Sequence, residues 1–247
     1  MKIYLAGDGF DQIWVDNDFF NFNRLKSYHY IKNDKLDYIH RYDSFMLDSG
    51  AYSTFKNPSD AKKINWDNYV EKYILFIRNN NIKHFFELDI DAIVGLNKVE
   101  YYRKKMEDNI GRSPIVVWHS DRGWDYFCKM CEEYRYVALG TTLANKQGRL
   151  IRKNPMILDK FIQQAHKSGS KIHGLGFTSL KYLDQLRFDS VDSTSWLGAR
   201  FGLIYHFNGK TMNQIKKPNG SRLKTNESMR HNFRQWILYS KYAEAYL

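Results

Sequence analysis

Phe45-Met46-Leu47-Asp48-Ser49-Gly50-Ala51-Tyr52-Ser53 is an apolar run that delivers one carboxylate into a Ser-Gly turn. Leu47 and its apolar neighbours read as a buried strand, Asp48 sits where that strand ends, and Gly50 allows close backbone approach to a ligand. The same design recurs in Phe85-Phe86-Glu87-Leu88-Asp89-Ile90-Asp91 and in Phe188-Asp189-Ser190-Val191-Asp192-Ser193-Thr194. An apolar strand gains nothing from a terminal Asp unless that Asp caps a helix or meets a ligand. Three strand-end acidic clusters in one chain therefore predict a ligand site, with helix capping the alternative for each residue taken alone.

Outward from these clusters, apolar strand-like runs alternate with helical patterns. The strand candidates are 3–6, 44–47, 84–88, 115–118, 136–139, 171–174, 190–191 and 203–207, and the helical ones between them are 66–78, 97–109, 124–134, 156–167 and 180–186. Eight strands with intervening helices predict an α/β fold, a (β/α)8 TIM-like barrel, whose strands are buried on both faces and so read as continuous apolar runs. A doubly wound open sheet is the alternative, because periodicity does not distinguish closure from openness. The segment 8–40 shows no single helix, and 227–246 reads as a long C-terminal helix. Four prolines, no Gly/Ser tract and no repeat predict one domain over 1–247.

In a barrel the site lies at the carboxyl ends of the strands, so Asp48, Asp89, Asp91 and Asp192 are expected to converge at one mouth. His119, Gly140 with Thr141, and His173 with Gly174 follow strand runs in the same way and join the expected site beside Ser49 and Gly50. The formal charge of +11 favours a polyanionic partner. Aromatic residues, 18 of them Tyr, suit either base stacking or a core. Phosphate contacts are expected from the basic segment after residue 207, above all Lys216, Lys217 and Arg222, with Lys56, Lys62 and Lys63 a second candidate. Cys128 and Cys131 are the only cysteines, an i,i+3 pair on a predicted helix, too few for a structural zinc site, so no metal is expected. With no disulfide framework, no membrane span and an N-terminus that reads as a first strand, a cytoplasmic protein is expected.

Asp48-Ser49-Gly50-Ala51-Tyr52 resembles the Asp-Ser-Gly-Gly-Phe motif of the tRNA-guanine transglycosylase family. Gly140-Thr141-Thr142 is similar to that family's Gly-Gly-Leu loop, and His173-Gly174-Leu175-Gly176 to the segment ahead of its nucleophile strand. Phe188-Asp189-Ser190-Val191-Asp192-Ser193, followed by Arg200 and Gly202, resembles its Val-Asp-Met-Phe-Asp-Cys stretch. The matches run in the family's order from about residue 45 to about residue 202.

The resemblance implies a (β/α)8 enzyme, a glycosyltransferase that exchanges guanine in a nucleic acid for a 7-deazaguanine such as preQ0, with no cofactor. It implies Asp192 as nucleophile, Asp48 as the group handling the base and its proton, Asp89 with its neighbour Asp91 in base recognition, and Gly140 and Thr141 as backbone contacts to the base. Trp118-His119 stands where the family has a Val-Gln-Gly-Gly glutamine. The chain lacks the family's Cys-rich zinc segment and is shorter than its tRNA enzymes. The resemblance is closer to compact, often phage-encoded relatives proposed to insert 7-deazaguanines into DNA, where Glu-Leu-Asp-Ile-Asp and Val-Trp-His sequences are found, so DNA is the expected partner and tRNA the alternative. A barrel glycosidase accounts for paired carboxylates but not for the charge. A non-catalytic nucleic-acid-binding protein accounts for the charge but leaves the carboxylates repelling phosphate.

Overall fold

The computed structural model describes residues 1–7, 21–32, 38–54, 58–140, 146–177, 179–216, 220 and 224–247. Eight strands form one wholly parallel sheet: β1 (Lys2–Leu5), β2 (Asn23–Ser27), β3 (Ser44–Asp48), β4 (His84–Phe85), β5 (Val116–Trp118), β6 (Tyr136–Leu139), β7 (Lys171–Gly174) and β8 (Ser190–Ser193). Their order is β4-β3-β2-β1-β8-β7-β6-β5. The sheet curls until its two end strands meet at one parallel bridge between Phe86 and Ile115. The Glu87 amide donates to the Ile115 carbonyl (3.0 Å) and the Ile115 amide to the Phe85 carbonyl (2.8 Å) there.

The curl follows from burial on both faces. On the concave side Tyr4, Ala6, Leu25, Met46, Phe86, Ile115, Val117 and Ala138, drawn from six strands and their ends, form one inner cluster. On the convex side amphipathic helices cover the sheet. In α3 (Trp66–Asn79) the buried positions Trp66, Val70, Tyr73, Ile74 and Ile77 recur at helical spacing, and the Asn65 side chain caps its start by accepting from the Asn68 amide (3.0 Å). Beside it α5 (Leu96–Ile110) buries Val99, Tyr102 and Met106. On the other flank α6 (Gly123–Glu133) and α8 (Pro155–Lys167) pack Phe127, Met130, Leu158, Phe161 and Ile162 into a second outer core. The start of α8 has Asn154 as cap and proline in its first turn, both suited to the helix amino end. Shorter helices are α1 (Tyr28–Ile31), α2 (Pro58–Ala61), α4 (Asp91–Val94) and α7 (Lys146–Lys153).

The structure corrects three expectations. Residues 203–207 do not join the parallel sheet: β9 (Leu203–Phe207) pairs antiparallel with β10 (Met212–Lys216), a hairpin docked on the C-terminal helix α9 (Thr225–Tyr246). The missing sheet strand is β2, Asn23-Arg24-Leu25-Lys26-Ser27, which hydropathy conceals because three of its buried residues are polar. Arg24, with no exposed surface, donates to the Leu5 and Gly7 carbonyls (2.5 Å each), and the hydrogen bonds make its burial tolerable. Residues 180–186 form successive turns rather than a helix, and β4 ends at Phe85 instead of 88. The helices over 66–79, 96–110, 123–133, 155–167 and 225–246 lie within two residues of expectation. No helix among the described residues is long and apolar enough to cross a membrane.

Candidate functional site

All eight strands are parallel, so residues at their carboxyl ends share one end of the sheet. Asp48 is the last residue of β3, Asp89 and Asp91 follow β4, His119 follows β5, Gly140 follows β6, His173 and Gly174 end β7, and Asp192 lies in β8. Counting β2 renumbers the strands but leaves each of these residues at the same end.

Asp48 is partly buried, and its carboxyl is pushed up to about 6. Burial is the main cause, and the charges of Asp192 and Asp89 add to it. The Gly50 amide donates to its Oδ2 (3.0 Å), and Ser27 stands beside it in register on β2, both working in the opposite direction. Gly50 has φ +66°, and a Cβ there would lie 2.5 Å from Ser27 Oγ and 2.6 Å from the His29 amide. The close approach that requires glycine is therefore to the chain's own backbone. It also aims the Gly50 amide at Asp48. Buried Ser49 presents its carbonyl to Tyr69 Oη (2.6 Å), anchoring the turn to α3.

Asp192, only 8% exposed, accepts from the Gly176 amide (2.5 Å) at Oδ1, which also faces His173 Nε2 (3.2 Å). His173 has no exposed surface, lies between the rings of Tyr4 and Phe86, and meets Ser190 Oγ through Nδ1 (2.5 Å). Ser190 Oγ in turn meets Tyr136 Oη (2.6 Å). A polar chain thus runs from Tyr136 through Ser190 and His173 to Asp192. The turn that supplies the Gly176 amide is braced by Arg152 of α7, which donates to the Leu175 and Gly176 carbonyls, lies over the Phe177 ring and places its charge near Asp192. Gly174 serves packing: a Cβ there would crowd Phe177, Val191 and Phe188 at 3.0–3.3 Å.

His119 bridges the two sides. Its Nε2 is hydrogen-bonded to Asp89 Oδ1 and its Nδ1 lies 2.8 Å from the Gly140 carbonyl. Both partners are acceptors, so both ring nitrogens carry protons. Burial works against that charge, but Asp89 and Asp91 outweigh it and raise the ring to about 9. A Cβ on Gly140 would lie 2.6 Å from the His119 ring, so glycine there admits the imidazole. Asp91 is tied to Arg122 Nε (2.8 Å), which opposes the burial of its carboxylate and holds it below the usual range.

Beneath this layer Glu87, with no exposed surface, accepts from Arg103 Nε (2.7 Å) and the Val117 amide (2.6 Å), while Arg122 donates to the Val117 carbonyl (2.6 Å). Arg103 and Arg122 balance Glu87 and Asp91 in the low-dielectric interior, where a lone charge is costly. Asp89 is matched by charged His119. Among the described residues, Asp48 and Asp192 are left as the carboxyls of this end without a matched Arg or Lys hydrogen bond. Asp89, Asp91 and His119 also offer three ligand atoms within 4.8 Å of one another, the one group among the described residues with that geometry for a metal ion. A cation there would have to displace Arg122 from Asp91 and the proton shared by His119 and Asp89.

Among the basic candidates, Lys216 is exposed at the end of β10, Lys62 is exposed, and Lys63 pairs with Asp60 (3.6 Å). Thr141, Lys56, Lys217 and Arg222 lie outside the described residues. Cys128 and Cys131 sit on α6 as free thiols, with Cys131 buried and raised to about 12 by that burial. The supporting residues Arg103, Arg122, Arg152, Gly176 and Ser190 escape sequence reasoning because the site groups they meet lie 16 to 54 positions away. Glu87, inside an Asp-rich motif, carried the clearest signal.

Scans against protein-family models and against curated proteins return no match to this chain.

Proposed function

We propose that this protein is a nucleic-acid guanine transglycosylase that exchanges guanine in DNA for a 7-deazaguanine base through a covalent aspartyl-glycosyl intermediate. The observation that carries the reading is the pairing of Asp48, raised to about 6, with Asp192 at one end of a parallel sheet. The two carboxyls sense each other's charge, and each accepts a backbone amide hydrogen bond, Asp48 from Gly50 and Asp192 from Gly176. A carboxyl lifted toward neutrality suits Asp48 to proton transfer, and Asp192 is the partner left for attack. The ordered resemblance of residues 45–202 to the transglycosylase family supplies the substrate class. We read the curled sheet as a (β/α)8 TIM-like barrel with its seam at Phe86 and Ile115, and the cytoplasm as its place of action.

In the first half-reaction an Asp192 oxygen attacks the sugar C1′ as the C1′–N9 bond breaks. Asp192 Oδ2, which has no hydrogen-bond partner among the described residues, is the oxygen available for this. The electron pair of the broken bond leaves with guanine, which takes a proton from Asp48. In the second half the incoming 7-deazaguanine gives its N9 proton to Asp48, N9 attacks C1′, and the ester electrons return to Asp192. Two inversions preserve the anomeric configuration, and every proton is accounted for. Charged His119, Asp89 and the Gly140 backbone line the same end and serve base recognition. The target guanine reaches this site flipped from a duplex or from a single strand.

The deciding experiment is mass spectrometry of nucleosides from DNA and, in parallel, tRNA incubated with the protein and candidate 7-deazaguanines. Incorporation into DNA that disappears in Asp192→Asn is expected. Incorporation into tRNA alone moves the reading to the RNA enzyme, and incorporation into neither removes it.

A further inference from the structure

The opposite end of the sheet carries an unassigned concentration of positive charge. Lys83 precedes β4, Arg112 precedes β5, Arg135 precedes β6 and Lys171 opens β7, so parallel topology gathers all four at the amino-terminal end. There Lys83, His84, Arg135 and Lys171 line an open cavity of about 410 Å³ with Tyr136 and Pro114, and among the described residues no Asp or Glu lines it. An adjoining hollow of about 510 Å³ shares Lys83 and His84 and adds Lys2, whose ammonium already meets Glu244 at 3.5 Å. None of Lys83, Arg112, Arg135 and Lys171 has an ion-pair partner among the described residues. The His84 ring faces that of Tyr136 (centroids 6.4 Å apart). Although the residue is exposed, local desolvation and, after it, the charges of Lys171, Lys2, Lys83 and Arg112 hold the ring below its ordinary value.

We propose that Lys83, His84, Arg135 and Lys171 form a binding site for a phosphate-bearing anion at the end of the sheet remote from the carboxylates. Unpaired cations gathered round one cavity repel each other, and a phosphate relieves this where a single carboxylate does not. A phosphate monoester brings a charge of about −1.5 to −2 and three acceptor oxygens, and a nucleic-acid backbone brings several phosphodiesters of one charge each. Arg135 supplies the planar donor fork that matches two of those oxygens, and the lysines act as mobile point charges. The cations follow the carboxyl ends of α3, α5, α6 and α8, whose dipoles favour positive charge. That placement explains how the fold tolerates them, and leaves the cavity they share to the ligand. The site is independent of the exchange reaction proposed for the opposite end.

The test follows the His84 ring by NMR in the full chain during titration with inorganic phosphate, a nucleoside monophosphate and a short single-stranded oligonucleotide. Each is repeated with Lys83→Ala/Lys171→Ala, two exposed positions whose loss spares the core. Expected is a saturable shift and a rise of the His84 titration midpoint, with affinity reduced about tenfold in the double variant. Saturation by phosphate and the monophosphate assigns a small phosphate ester; much tighter saturation by the oligonucleotide assigns a nucleic-acid backbone phosphate. Both support the site. No movement of His84 with any probe, or equal movement in the double variant, overturns it and leaves the cations as complements of the helix ends.

Discussion

At the scale of single residues, Asp48 couples function to stability. Its carboxyl stands near 6 in the fold against 3.8 in the unfolded chain, so the folded state binds more protons between those values and stability falls as pH rises from about 4 to about 6. Asp48→Asn is accordingly expected to stabilise the protein at pH 7 by up to about 3 kcal/mol, a gain that vanishes below about pH 4. Thermal melts across pH measure it. The same variant should lose base exchange yet leave Asp192 able to form a weak covalent adduct on denaturing gels, whereas Asp192→Asn forms none. An adduct in Asp192→Asn would move the nucleophile to Asp89 or Asp91. His119 shifts stability in the same direction over a higher range. Raised to about 9, it contributes stability that is full below about pH 6.5 and lost as pH rises through 9. Asp89→Asn removes its chief support, so the His119 ring should titrate well below 9 by NMR. A midpoint unmoved by that change would contradict the charged-ring assignment.

At the scale of elements, the hairpin of β9 and β10 owes its place to α9. The buried Asn232 side chain accepts from the Tyr205 amide (2.9 Å) and donates to the Leu203 carbonyl (2.9 Å), two backbone groups that the β10 ladder leaves to it. Asn232→Ala orphans both, and a loss of about 2–4 kcal/mol in denaturant unfolding is expected. A loss below about 0.5 kcal/mol would mean that water replaces the amide there. The hairpin also presents exposed Lys216 on its outer strand. Should Lys216, Lys217 and Arg222 hold DNA phosphates, replacing all three by Ala flattens the slope of log affinity against log salt by about 0.9 for each phosphate no longer neutralised. An unchanged slope would turn this hairpin away from DNA.

At the scale of the whole molecule, the two ends of one parallel sheet carry opposite chemistry. The carboxyl end gathers Asp48, Asp89, Asp91 and Asp192, and the amino end gathers Lys83, Arg112, Arg135 and Lys171. In a parallel sheet every strand points the same way, so residues that recur at strand starts and at strand ends separate into two faces. The net charge of +11 is therefore not spread evenly. A positive end and a carboxylate-rich end offer a nucleic acid two very different surfaces.

The sequence by itself determined the alternation of strands and helices, the bounds of five long helices to within two residues, and the strand-end positions of the carboxylates, because hydrophobic periodicity and position along a strand are local properties. It concealed β2, whose Asn, Arg and Lys are buried only because Glu244, the end of β1 with Gly7, and Tyr38 supply partners. It also made 203–207 look like the eighth sheet strand, since an apolar run does not state which strand it pairs with. Gly50 shows the same limit: a close backbone approach at this glycine was legible, but not that Ser27 and His29 rather than a ligand fill the space beside it. Tertiary structure alone decided that Asp48 is lifted to about 6 while His119 is held charged. Those values depend on burial and on charges brought together from β3, β8 and the segments after β4 and β5, and such distances exist only once the sheet has curled.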